Sequence, residues 1–238
     1  MVRRCLLCGV SVAALLLAVS TVQEARAQGR RGGMGQTRSP LALADNKAVQ
    51  KELALNEEKA AKVKDLHADY TEELQQQLQG AGLGGRPSGD LSAEERQKRM
   101  AQVAEITKNV NDKFMPKLTE LLDKTQQTRL HEVWLQAAGP SALQDADVAK
   151  SLNITKEQQD KIKKVAEDFG HKMREAFTSG GDRTEIQAKV AELREEQTAK
   201  TTEVLSKDQQ AKFTEMKGKP FDVKQLMQGG GRRRRNNN

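Results

Sequence analysis

The strongest constraint on this chain is an internal repeat. Val49 to Val63 lies over Val148 to Ile162 at an offset of 99 residues, without a gap. Farther on, Leu121 to Leu130 lies over Val204 to Phe213 at an offset of 83. Self-similarity of this kind describes one supersecondary unit built twice. The 16-residue difference falls between the matched stretches, where the first copy carries a Gly-rich run from Gly80 to Gly89. An insertion there belongs at an exposed tip.

The apolar positions inside the repeat have helical spacing. Val63, Leu66, Tyr70, Leu74 and Leu78 recur as Ile162, Val165, Phe169, Met173 and Phe177, in steps of three and four. Such steps place each set on one face of an amphipathic helix. Gly80 and Gly180 follow the two stripes and are expected to stop those helices. Pro116 lies inside the next long helix of the first copy and predicts a kink or a division there. Aromatic residues make up only 3% of the chain and no apolar alternation occurs, so strands are not expected. The predicted fold class is all-α: two tandem helical-hairpin units of long amphipathic helices, over 41–138 and 139–217. Ala138-Gly139-Pro140 separates the units.

Four pentapeptides mark corresponding places in the units. They begin Leu55-Asn56, Leu122-Asp123, Ile154-Thr155 and Leu205-Ser206, and the last three end in Gln126, Gln158 and Gln209, against Lys59 in the first. Asn, Asp, Thr and Ser are the favoured helix N-caps. A Gln three residues later can return a hydrogen bond to the cap's own N–H, closing a capping box. The aliphatic residue before each cap can pack on the first apolar residue of the helix, which is Val63, Leu130, Ile162 or Phe213.

These segments resemble the LTxxQ motif of the Spy/CpxP-type periplasmic family, over roughly residues 41 to 217. Ile154-Thr155-Lys-Glu-Gln158 and Leu205-Ser206-Lys-Asp-Gln209 match closely, whereas Lys59 stands for the motif's Gln and Asp123 for its Thr. The resemblance implies a small helical protein that forms a cradle-shaped dimer and acts as an ATP-independent chaperone or envelope-stress regulator; some relatives bind zinc. Clients would be unfolded or envelope proteins. Two fused units could form the cradle as a monomeric pseudo-dimer, pair as a homodimer, or sit apart as beads. A helical scaffold protein of the envelope without client binding is the alternative, followed by a metal-responsive binding protein.

The candidate client groove comprises Tyr70, Leu74, Leu78, Phe169, Met173 and Phe177, against the plainer reading that the stripes are helix core. His67, His131 and His171 are scattered without a metal-ligand spacing, so no metal or other cofactor is expected. No nucleophile elbow or phosphate-cradling loop occurs, and the chain reads as non-enzymatic.

Residues 1–27 read as a secretory signal. Arg3 and Arg4 precede an apolar run from Cys5 to Val19 and the small-residue site Ala25-Arg26-Ala27. The mature chain is expected to begin near Gln28, in the periplasm or otherwise exported, without a cysteine. Of the formal charge of +7, the leader's three Arg and one Glu account for +2. Seven arginines in the flanks, Arg30, Arg31, Arg38 and Arg232 to Arg235, carry the remaining excess. Residues 28–40 and the end of 218–238 are Gly-rich and polar, and are expected to be disordered around a short helix. Arg232, Arg233, Arg234 and Arg235 could hold an anionic envelope surface. No aromatic interleaves them and nucleic acid is not an expected partner.

Overall fold

The computed structural model describes residues 39–85 and 91–228, and they are helical throughout, without strands. The leader, most of the 28–40 linker and the Arg232–Arg235 run lie outside the described residues. Each copy of the repeat begins with a one-turn helix led by proline: α1, Pro40–Ala44, in the first, and a 3-10 turn, Gly139–Gln144, in the second. Proline suits this position because the missing N–H would have no intrahelical partner. A short helix follows in each, α2 (Lys47–Glu52) and then, in the second copy, α6 (Ala146–Ser151), capped by Asn46 and Asp145.

Both short helices end in the same way. Leu55 N–H bonds the carbonyl of Gln50 and Ala54 N–H that of Lys51; Ile154 and Asn153 repeat these bonds to Ala149 and Lys150. This is a Schellman turn, with a left-handed residue at its centre. Ala54 has φ +48° and Asn153 φ +51°. Leu55 and Ile154 therefore close one helix and lead into the cap of the next.

In the first copy α3 (Glu57–Gly80) and α4 (Ala93–Leu121) form an antiparallel hairpin, and α5 (Lys124–Ala138) follows. In the second, α7 (Lys156–Thr178) and α8 (Arg183–Val204) form the hairpin and α9 (Lys207–Met216) follows; α10 (Gln225–Gln228) ends the described chain. Gly180, at φ +66°, ends α7 as its position predicts. In α3 the helix runs through Gly80, and the left-handed stop is Gly82 at φ +70°. Leu83 N–H and Gly82 N–H bond the carbonyls of Leu78 and Gln79 there. Pro116 does not divide α4, which continues to Leu121. It sits on the exposed face, where water can take the carbonyl that lacks its amide partner.

The apolar interior divides into two clusters. One gathers Leu41, Val49, Val63, Tyr70, Val110, Phe114 and Leu118 with Leu130 and Val133 of α5. The other gathers Leu143, Val148, Ile162, Leu205 and Phe213 with Leu135 and Ala138 of the same α5. Helix α5 thus serves both clusters, and Trp134 packs against each.

The chain then returns. After α9, residues 217–228 cross back to the first cluster, where Leu226 is buried and Phe221 packs. Gln136 on α5 donates to the carbonyls of Lys217 and Lys219 and accepts from Phe221 N–H at 2.7 Å. Arg129 donates to the Lys219 carbonyl and holds Glu52 and Glu132. Burial opposes the charge on Arg129, but hydrogen bonds to Glu132 and Glu52 outweigh it and raise its pKa. Nothing in the sequence pattern announced this strap. Its local signal is Phe221, Val223, Leu226 and Met227 among polar neighbours.

Candidate functional site

All four pentapeptides start helices through their predicted caps. Asn56, Asp123, Thr155 and Ser206 accept from the backbone N–H three residues on, and Gln126, Gln158 and Gln209 complete capping boxes. The leading Leu122, Ile154 and Leu205 are buried and Leu55 is half-buried, in the same clusters as Val63, Leu130, Ile162 and Phe213.

The glutamines also bring the motifs of each copy together. Gln158 Nε2 donates to the Val204 carbonyl and to Gln209 Oε1, and Gln209 Nε2 donates back to Gln158 Oε1 and to the Leu152 carbonyl. In the first copy Gln126 Nε2 donates to the Leu53 carbonyl. Lys59, in the place of the missing glutamine, donates to Gln126 Oε1 at 2.9 Å and lies 3.8 Å from Asp123. Each hairpin base is thereby closed by a small polar knot. A second pair of glutamines repeats equally well: Gln127 donates to the carbonyls of Thr119 and Leu122, and Gln210 to those of Thr202 and Leu205.

Away from the knots the hairpins open. Val63 is fully buried and Tyr70 is 6% exposed, edge-on to Phe114 at 5.7 Å. Burial pushes the Tyr70 phenol up in pKa. The structure therefore corrects the placement of Tyr70 in an open groove: α1 covers it from one side and α4 from the other, making it core. Leu74 and Leu78, nearer the tip, are only half-buried. In the second hairpin Ile162 is buried, Phe169 and Met173 are half-buried, and Phe177 is 54% exposed. Met100 on α4, at 73%, was not among the predicted groove residues. It lies ahead of the inward series Val103, Ile106, Val110 and Phe114 and off their face of α4.

The gradient has a simple cause. Near the base the Pro-led turn, the short helix and α5 or α9 add side chains to the cluster that holds Val63 or Ile162, whereas Leu78 and Phe177 nearer the tips belong to neither cluster. Two helices alone bury one stripe apiece and leave its edges in water. Ion pairs tie the arms across: Lys113 to Glu73 at 2.8 Å, and Lys172 to Glu196, which Lys200 also holds. Hydrogen bonds from Lys172 and then Lys200 lower the Glu196 carboxyl to about 2. At the first tip Arg99 fastens the loop by donating to the carbonyls of Leu83 and Gly85.

The histidines are apart and have structural partners or solvent. His67 pairs with Asp45 at 2.8 Å, His131 stacks on Trp134, and His171 is exposed. Among the described residues no group of three His, Cys, Asp or Glu could hold a metal ion, and no helix is long and apolar enough to cross a membrane. Neither a family model, nor a curated protein, nor a solved structure matches this chain.

Proposed function

We infer that the chain is an exported, ATP-independent, chaperone-like or envelope-stress-related protein that holds partly unfolded proteins on the outer halves of its hairpins. The observation that carries this reading is an exposed apolar edge on the outer half of the hairpin: Phe177 is 54% exposed beside the inward Ala176 at 9%, whereas Ile162 near the base is at 2%. A surface that offers half-buried apolar groups among charges suits weak, adaptable capture of exposed hydrophobic segments, and Met100 and Met173 add flexible contact. The resemblance of the capped pentapeptides to the LTxxQ motif points the same way, and neither feature calls for a nucleotide or a reacting group. The test is aggregation of a chemically denatured model protein diluted into the purified chain. Suppression near an equimolar ratio is the expected result, and no suppression at tenfold excess removes the reading.

The strap favours one second reading. A segment that fastens the second unit to the first makes a stiff helical body, as an envelope scaffold without clients would need. In that case crosslinking yields one defined partner and the dilution assay is negative.

A further inference from the structure

The two copies carry an equivalent groove beside the Pro-led turn, between the end of the hairpin's second helix and the helix after it. In the first copy its cavity is 140 Å³, whereas in the second it is 460 Å³. The offset of 83 residues explains the difference. Met115, Leu118 and Trp134 line the first groove, and Thr198, Thr201 and Lys217 take their places in the second. Only at Leu130, replaced by Phe213, is the second copy bulkier. The strap adds a wall through Phe221 and Val223, which the first groove lacks.

We propose that this second groove is a binding site for a single-chain anionic amphiphile, of which a fatty-acid carboxylate is the type. Its volume lies in the range of small-molecule sites, roughly 300–1,000 Å³. Pro140, Leu143, Leu205, Phe213, Phe221 and Val223 supply apolar wall. Three of its four threonines have their hydroxyls engaged: Thr198, Thr202 and Thr214 donate to the carbonyls of Arg194, Thr198 and Gln210 in their own helices. No ligand hydrogen bond is needed to satisfy these three, so an alkyl chain passes them without stranding their donors. Lys217 is the one charged residue lining the groove, and its ammonium lies 4.9 Å from the centre of the Phe213 ring. No carboxylate lines the groove. An apolar body with a negative end fits that charge pattern, and a cationic amphiphile does not.

The site is separate from the hairpin tips, and its test does not depend on client capture. Dodecanoate, below its micellar concentration, is titrated into the full chain by calorimetry, with dodecanol as the uncharged control. Thr198→Met together with Thr201→Leu installs the first copy's residues and is expected to abolish binding, and Thr198→Met alone, at an exposed position, to weaken it. Lys217→Met is expected to weaken dodecanoate about fivefold and to leave dodecanol unchanged. Absence of dodecanoate binding, equal binding by the wild type and Thr198→Met, or insensitivity of dodecanoate to Lys217→Met would each overturn the assignment.

Discussion

The side-chain amides of Gln158 and Gln209, 51 positions apart, hydrogen-bond each other in both directions, at 2.8 and 3.0 Å. Each oxygen also closes a capping box by accepting from the N–H of its cap residue, Thr155 or Ser206, and each nitrogen also reaches a carbonyl beside the other motif, Val204 or Leu152. One residue type therefore starts a helix and joins it to another. Replacing either glutamine by alanine is expected to cost about 2 kcal/mol, because the return bond of the capping box to the Thr155 or Ser206 N–H is lost and the partner amide is left short of a bond. The double variant should cost less than the sum, with a coupling of about 1 kcal/mol by denaturant unfolding. Additive losses would mean that the pair contributes nothing as a pair.

Ala54 and Asn153 occupy the same left-handed turn in the two copies, at φ +48° and +51°. Asn tolerates that conformation and Ala does so at a cost of about 1 kcal/mol. Ala54→Asn is thus expected to raise the melting temperature, and Asn153→Ala to lower it by a similar step. Opposite signs from equivalent positions are the check.

Gly218 lies in the strap at φ +58°, and a Cβ there would come within 2.1 Å of the Glu132 carboxylate carbon. Gly218→Ala should loosen residues 217–228 from Arg129 and Gln136 while leaving both hairpins helical. Hydrogen exchange would register it as faster exchange at Phe221 N–H, with the caps of α7 and α9 still protected.

Glu196 on α8 is tied to α7 through Lys172 and is also held within α8 by Lys200, and its carboxyl is lowered from 4.5 to about 2. A depressed carboxyl contributes stability above its unfolded value, and that contribution is lost as the pH falls through the folded value. Glu196→Gln should therefore melt below the wild type at pH 6, and the gap should close between pH 4.5 and about 2. A gap independent of pH would assign the loss to packing instead.

Phe177 and Tyr70 separate the proposed function from stability. Phe177→Ser, at an exposed tip, is expected to leave the melting temperature within about 0.5 kcal/mol of equivalent stability and to weaken aggregation suppression. Tyr70→Ala removes a core ring packed on Phe114 and should cost about 3 kcal/mol. If Phe177→Ser holds clients as well as the wild type, the tips are not the capture surface.

Local chemistry accounts for what could be read in advance. The caps at Asn56, Asp123, Thr155 and Ser206, the helix stop at Gly180 and the stripe of Ile162 to Phe177 depend on neighbours within a turn or two, and a repeat displays each of them twice. Tyr70 was misplaced because periodicity identifies the inward face without saying how many layers cover it. α3 ends at Gly80 as expected, but the left-handed residue that follows is Gly82, because a glycine is also compatible with a helix's last residue and only the backbone geometry selects which one turns left-handed.

By itself, then, the sequence determined that this chain is helical, duplicated, and capped at four corresponding points, since those features follow from short-range hydrogen bonding and apolar spacing. Tertiary structure alone decided that Gln158 meets Gln209, that α5 serves both clusters, that residues 217–228 return to Arg129 and Gln136, and that the second groove is wider than the first. Each of these joins residues many positions apart, and their approach depends on how whole helices pack, which no local preference encodes.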